Sequence, residues 1–190
     1  MVYRSIFKFF LSLAVFSGFC FFSSCNLGSE KPDIKSGYFN LKSYFSRKEK
    51  FFEKGHYRLT KTLAFEGKTQ TIEVKNPEWI REMVFFQDAD INKPAWKGLF
   101  KEEFKHGNLE YSDLDTSKIK IRKVILYHFH AGDSSFDSIR IERKQVDILS
   151  NIYSVLVFQP DSAYSIDYSQ DIRFYKKTHY TIRARIKPSL

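Results

Sequence analysis

The spacing of apolar residues predicts two helices in the first half of the chain. In the first helix the apolar positions are Tyr38, Leu41, Phe45 and Phe52, and in the second they are Trp79, Ile80, Met83 and Val84. Gly55 ends the first pattern, because glycine is unfavourable inside a helix. Asn76-Pro77-Glu78 precedes the second and offers a cap, a proline for the first turn and an acid near the helix N-terminus. We expect this second helix to end near Gln87.

Alternation of apolar and polar residues predicts β-strands over most of the remaining chain. Residues 57–65 and 69–74 alternate on either side of Glu66-Gly67-Lys68, which is typical of a β-hairpin. After His106-Gly107-Asn108 the period is again two, with Ile119, Ile121, Ile125, Tyr127 and Phe129 on one face and Lys118, Lys120, Arg122 and His128 on the other. Further strands are predicted at 136–142, 145–158, 163–168, 171–175 and 179–186. The turns between them are expected at Gly132-Asp133, Arg143-Lys144, Pro160-Asp161 and Ser169-Gln170.

The order of these elements indicates an α+β fold. Short connections place consecutive strands side by side and antiparallel, so we expect a curved antiparallel β-sheet or open half-barrel. Two helices from the N-terminal half would pack on its concave face. The opposite face would carry basic residues, namely Lys118, Lys120, Arg122, Arg183, Arg185 and Lys187. This is either a basic binding surface or an ordinary solvated sheet face.

The first 25 residues have the pattern of an export signal. Arg4 and Lys8 precede a mostly apolar stretch over residues 9–22, which is shorter than the roughly 20 residues that span a bilayer. The stretch ends at Ser23-Ser24-Cys25, and this segment resembles the lipobox of bacterial lipoproteins. The resemblance implies cleavage before Cys25 and attachment of lipid to its thiol. The predicted organisation is therefore a signal peptide at 1–24, a polar tether at 25–35 and a single domain at 36–190.

Composition limits the classes of molecule that such an exported domain could bind. The 190 residues carry a net charge of +9, and Cys20 and Cys25 are the two cysteines. The domain therefore has no cysteine for a disulfide, and its stability must come from apolar burial. Export removes nucleic acid from consideration, which leaves the membrane, a lipid, lipopolysaccharide or an envelope protein as the partner. Alternatively, the charge serves solubility alone.

The segment 88–96 is the most motif-like part of the domain. Its oxygen-bearing side chains alternate as in calcium loops, but Lys93 and Leu99 occupy the positions where such loops have glycine and glutamate. His128 and His130 with Asp133 are too few for a metal site, so we expect no metal and no cofactor. The segment either borders a ligand cleft or is a rigid loop that caps backbone amides. The candidate ligand-binding residues are Asp88, Asp90, Asn92, Trp96, Lys118, Lys120 and Arg122.

No catalytic motif is found, since a nucleophile elbow, a phosphate-binding glycine loop, a Cys–His pair and a metalloprotease helix are all missing from the sequence. We therefore expect a non-catalytic envelope lipoprotein that binds or carries a hydrophobic or anionic ligand. The alternatives are an accessory subunit of an envelope complex and an envelope hydrolase. The chain resembles uncharacterised small lipoproteins of Bacteroidota and, at fold level, the half-barrel lipoprotein-sorting carriers. Asn26 replaces the aspartate that retains some lipoproteins in the inner membrane, which favours the outer membrane.

Overall fold

The computed structural model describes residues 37–115 and 119–189, which contain two α-helices and nine β-strands. Cys25 and Lys118 lie outside these described residues. The helices are α1 (Leu41–Lys54) and α2 (Trp79–Gln87), and a short 3-10 turn follows at Pro94–Trp96. The strands are β1 (Tyr57–Phe65), β2 (Lys68–Val74), β3 (Phe100–Lys105), β4 (Asn108–Asp113), β5 (Ile121–Tyr127), β6 (Ser138–Val146), β7 (Ser150–Gln159), β8 (Ala163–Ile172) and β9 (Thr178–Pro188).

All nine strands form one antiparallel sheet in the order β2-β1-β9-β8-β7-β6-β5-β4-β3. Strands β3 to β9 follow one another as a meander, and β9 then pairs with β1 from Tyr57↔Pro188 to Phe65↔Tyr180. Strands β2 and β3 are the two edges, so the sheet is open. The predicted α+β class, a curved antiparallel sheet with two helices from the N-terminal half, is confirmed.

Local chemistry sets both ends of α1. The Asn40 side chain accepts a hydrogen bond from the Ser43 amide at 2.7 Å, which satisfies one of the free N–H groups of the first turn. At the other end the Gly55 amide donates to the Phe51 carbonyl. A Cβ at Gly55 would lie 2.4 Å from the Tyr57 ring, so the chain can turn directly into β1 because this residue is glycine.

Aromatic rings join the helices to one face of the sheet, which we call the inner face. The Phe45 ring of α1 stacks on Phe86 of α2 with centroids 4.8 Å apart, and Phe52 stacks on Trp79 at 4.5 Å. Phe45 and Phe86 both contact Phe158 of β7, at 5.0 and 5.6 Å. These large side chains fill the space between the helices and the sheet. No helix in the described parts of the chain has the length and apolar character needed to cross a bilayer.

Two of the predicted turns are wrong. Arg143-Lys144 lies inside β6 and Ser169-Gln170 lies inside β8, so β8 continues to Ile172. Both polar pairs have strand partners on each side, as in Arg143↔Ile121 and Arg143↔Ser154. Pairing on two sides outweighs the turn propensity of these residues, and the real turn between β6 and β7 comes after Val146.

The predicted face of β5 is also wrong in its second half. A β-bulge between Ile121 and Lys123 adds one residue to this strand. Val124 and Leu126 therefore face the core, opposite Ile141 and Ile139 of β6, in place of Ile125 and Tyr127. A shift of one residue exchanges the two faces of a strand. The alternation of apolar and polar residues does not reveal such a bulge.

The hairpin formed by β3 and β4 was not predicted. The strands meet at His106-Gly107, where both residues have positive φ angles of 51° and 79°, as in a two-residue hairpin turn. Leu109 and Tyr111 alternate with polar residues after this turn, whereas Phe100 and Phe104 are the two apolar residues of β3, before it. That alternation was the available signal for this pair of strands.

Candidate functional site

The helices cover part of the inner face and leave an open groove beside α2. The groove has a volume of about 220 Å³. It is lined by Phe85 of α2 and by Lys120, Arg143, Lys144, Gln145, Ile152, Ser154, Leu156, Ile166, Tyr168 and Tyr180. The groove lies toward the end of the sheet where β6 turns into β7 and β8 turns into β9. It is therefore a concave site built mainly on rigid strands.

Strand register explains the apolar part of the groove. Ser154 of β7 lies opposite Tyr168 of β8, and Tyr168 lies opposite Tyr180 of β9. The Tyr168 and Tyr180 rings stack with centroids 4.7 Å apart and an interplanar angle of 20°. Burial raises the pKa of the Tyr180 hydroxyl further above the physiological range, in which a phenol is already neutral. The stacked pair thus offers a flat and uncharged wall.

Positive charge gathers at one side of the groove. Arg143 is half-buried on the inner face of β6, and it has no ion-pair partner within residues 37–115 and 119–189. Lys120 lies next to it, and the Lys144 amide donates to the Lys120 carbonyl at 2.8 Å. The Lys144 side chain leaves the other face of β6, on the same side as its strand partner Tyr153. Lys120 has no carboxylate partner among the described side chains, so Arg143 and Lys120 attract an anion to the edge of an apolar groove.

Neighbouring arginines show how differently Arg143 is placed. Arg140, on the opposite face of the same strand, bonds the Glu142 carboxylate at 3.0 Å. Arg122 bonds the Asp113 carboxylate at 2.7 Å, and both side chains are largely buried. Because these arginines already have partners, they are less available to a ligand than Arg143.

Exposed apolar side chains extend the surface beyond the groove. Phe85 is 47% exposed, and Ile80 and Val84 of α2 are exposed with it. On the inner face of the β1–β2 hairpin, Leu63, Phe65 and Ile72 are also exposed. Large side chains in such numbers on one side of a small domain are characteristic of an interaction site.

A polar cluster at the base of α2 fixes the position of this helix. Glu82 accepts a hydrogen bond from Lys61 of β1 at 2.7 Å and another from the Tyr164 hydroxyl of β8. Burial, followed by the charge of Glu82 and the hydrogen bond to it, raises the pKa of Tyr164 well above its ordinary value. Because Phe85 lies on the same helix, the cluster also sets the edge of the groove.

The loop predicted as a candidate site lies elsewhere and has structural contacts. Asp90 is 8% exposed, and its carboxylate accepts from the Leu41 amide and from the Asn92 side chain, both at 3.1 Å. Asn92 also donates to the Phe39 carbonyl at 3.2 Å. Asp90 and Asn92 thus tie the loop to the start of α1, which is the backbone-capping arrangement considered above.

The remaining sequence candidates are divided between the loop and the groove. Asp88 is exposed, and Trp96 packs beside Phe100 with the Lys93 ammonium 4.3 Å from the centroid of its ring. Neither lines the groove. Lys120 does line it, whereas Arg122 is held by Asp113.

Sequence reasoning missed Arg143, Lys144, Tyr168 and Tyr180. The first two were assigned to a turn, and the aromatic pair becomes visible only when β8 and β9 are paired. The alternation of Ile139, Ile141 and Arg143 was the one signal that placed this arginine on the inner face.

Within the described ranges, no three His, Cys, Asp or Glu side chains come close enough to share a metal ion. Comparison with known proteins adds no functional assignment. The chain matches no protein-family model, no curated protein and no solved structure.

Proposed function

We propose that the protein is a non-catalytic, lipid-anchored envelope lipoprotein that binds an anionic amphiphile in the open groove. One observation carries the ligand class: the half-buried Arg143 borders an apolar groove and has no carboxylate partner among the described residues. A ligand with an acyl chain and an anionic head group would satisfy both parts of the site. The chain would contact the rings of Tyr168 and Tyr180, and the head group would meet the cations.

The size of the groove limits how much of the ligand it encloses. Its volume of about 220 Å³ is below the roughly 300–1,000 Å³ of pockets that enclose a drug-sized ligand. The groove would therefore hold part of one acyl chain. The head group would stay at the opening, where Arg143 and Lys120 meet it.

The anchor is proposed from the N-terminal sequence. Lipid on Cys25 would hold the protein at a membrane outside the cytoplasm, with the outer membrane favoured by Asn26. We expect Cys25→Ala to move the protein from the membrane pellet to the soluble fraction after cell lysis and centrifugation. Quantitative pelleting of Cys25→Ala would contradict the anchor.

Calorimetric titration with decanoate, a soluble fatty-acid anion, tests the ligand site. Ile152→Trp places a large ring in the groove and should abolish decanoate binding. Tyr153→Trp is the matched control, because Tyr153 is exposed on the opposite face of the same strand and should leave binding unchanged. Equal affinities for wild type and Ile152→Trp would refute the site. Native mass spectrometry of the protein isolated from its envelope would then identify the natural ligand.

A second candidate function is an accessory subunit that docks on an envelope protein. The exposed Ile80 and Val84 of α2, which do not line the groove, favour this role, since a carrier does not need an apolar outer helix face. Ile80→Ser should then remove a co-purifying partner and leave decanoate binding unchanged. Loss of decanoate binding without loss of a partner would favour the carrier.

A further inference from the structure

Three turns meet at the groove end of the sheet. They follow β1, β6 and β8, and the antiparallel register places all three at the same end. The Arg173 amide in the β8–β9 turn donates to the Leu149 carbonyl in the β6–β7 turn at 2.8 Å. Lys176 of the β8–β9 turn forms an ion pair with Glu66 of the β1–β2 turn. The turns thus form one connected end surface.

Two of these turns present large apolar side chains to solvent. Ile148 is 90% exposed and Phe174 is 92% exposed, and Leu149 and Tyr175 are exposed beside them. We call Ile148, Leu149, Phe174 and Tyr175 the apolar tip. Among the large apolar residues that the structure describes, Ile148 and Phe174 have the highest exposed fractions, and they lie on adjoining turns.

The backbone at Phe174 is unusual for a bulky residue. Its φ angle is +66°, in the left-handed region that glycine or asparagine normally occupies. Among the described residues, the one ring contact of Phe174 is the Arg173 guanidinium, 5.1 Å from the ring centroid, so burial of the ring adds little to the stability of the fold. A strained aromatic residue that is almost fully exposed points to a role outside the folded domain itself.

Basic side chains flank the apolar tip. Lys144, Arg173 and Lys177 have no ion-pair partner in the described ranges. The acidic groups on these turns are Glu66, Asp147 and Asp171, of which Glu66 is bound by Lys176 and Asp147 accepts a hydrogen bond from Gln145. Free cations therefore outnumber free carboxylates around the apolar side chains.

We infer that the apolar tip inserts into the surface of an anionic lipid bilayer. Side chains at the ends of turns can enter the region between head groups and acyl chains without unpairing any strand. The flanking lysines and arginine would meet lipid phosphates, and Tyr175 suits the interface because one end of its ring is polar. The groove lies toward this same end of the sheet, so it would open next to the bilayer. The inference does not depend on ligand binding in the groove.

Quenching of tryptophan fluorescence by brominated acyl chains tests this insertion. The full chain with Phe174→Trp is mixed with vesicles of phosphatidylcholine and phosphatidylglycerol that carry bromine on their acyl chains. Phe104→Trp is the matched control, because Phe104 is 63% exposed on edge strand β3, toward the opposite end of the sheet. Both variants keep the same N-terminal segment and the native Trp79 and Trp96. Membrane binding through that segment and the emission of the native tryptophans are therefore the same in both variants.

Insertion predicts loss of the added emission for Phe174→Trp and its retention for Phe104→Trp. The additional variant Arg173→Gln in the Phe174→Trp background should weaken quenching, and vesicles without phosphatidylglycerol should do the same. Unquenched emission from Phe174→Trp would overturn the inference. Equal quenching of both positions would overturn it as well, because adsorption would then have no preferred end. The decanoate titration tests the groove and the quenching experiment tests the tip. A negative result in one experiment therefore does not contradict the proposal tested by the other.

Discussion

The Tyr164 hydroxyl donates a hydrogen bond to Glu82, and the other carboxylate oxygen of Glu82 accepts one from the Lys61 ammonium. Helix α2 is thereby bonded to β1 and β8, which are not neighbours in the sheet. The Glu82 side chain is 13% exposed, and these two hydrogen bonds offset the cost of burying its carboxylate. The cluster fixes α2 on the inner face and gives two predictions.

Glu82→Gln should lower the free energy of unfolding by about 2 kcal/mol, because the half-buried Lys61 ammonium loses its carboxylate. Glu78→Gln is the control on the preceding turn. Its ion pair with Arg81 is exposed on both sides and should change stability by less than about 0.5 kcal/mol. Urea unfolding followed by circular dichroism measures both. Equal losses for the two variants would contradict a special role for the cluster.

The raised pKa of Tyr164 predicts alkaline destabilisation. In the unfolded chain this phenol titrates near its ordinary pKa of 10.0, and the folded protein retains the proton to higher pH. The stability from this linkage is therefore fully present below about pH 10 and decreases above it, by at most about 1.4 kcal/mol per pH unit.

Tyr164→Phe tests that linkage through the slope of stability against pH. The variant should be less stable at neutral pH by about 1 kcal/mol, because the hydrogen bond to Glu82 is lost. Its stability should then fall less steeply than that of the wild type above about pH 10. Thermal unfolding across this range measures both slopes, and parallel curves would show that Tyr164 does not contribute.

Asp90→Ala should destabilise the fold by about 1–2 kcal/mol, since the Leu41 amide loses its acceptor at the start of α1. Asp88→Ala removes an exposed carboxylate from the same loop and should have an effect below about 0.5 kcal/mol. Denaturant unfolding gives both values. Unchanged stability of Asp90→Ala with loss of ligand binding would instead assign this loop to a binding site.

Arg143→Gln should weaken decanoate binding about tenfold, the effect of losing roughly one charge-assisted contact. Arg140→Gln is the matched control, because Arg140 lies on the same strand but faces away from the groove. Its ion pair with Glu142 is partly exposed, so the variant should remain folded and bind normally. Calorimetric titration compares the two, and unchanged affinity of Arg143→Gln would remove this arginine from the site.

The sequence predicted an element correctly where all the signals for that element lie within its own residues and the residues next to it. The apolar spacing and flanking residues were sufficient to place both helices, although Ile80 and Val84, assigned to the apolar stripe of α2, are exposed. The hairpin at Glu66-Gly67 was also predicted, and both of its turn residues have positive φ angles. The overall class followed from the order of these elements. The alternation of β7 was recognised as well, but the strand predicted at 145–158 ran across the turn that separates β6 from β7.

The groove depended on information that no local pattern contains. The stacking of Tyr168 on Tyr180 requires the register between β8 and β9, and the face of β5 depends on its bulge. Arg143 was assigned to a turn because turn propensity is a local property, while its strand partners lie on two other strands. Asp90 and Asn92 resembled ligands because capping and ligation use the same side-chain oxygens.

The pairing of β1 with β9 has a consequence for how the chain reaches this fold. Tyr57 of β1 pairs with Pro188 of β9, near the other end of the chain. The hairpin of β1 and β2 therefore has no further strand to pair with until β9 has been synthesised. Two-stranded hairpins are marginally stable in water, and contacts between such distant residues form slowly. A ribosome-bound intermediate would therefore hold α1 and α2 without the complete sheet on which they pack. For the export proposed above, this delay would give a translocation machinery that accepts unfolded chains time to bind the polypeptide before β1 pairs with β9.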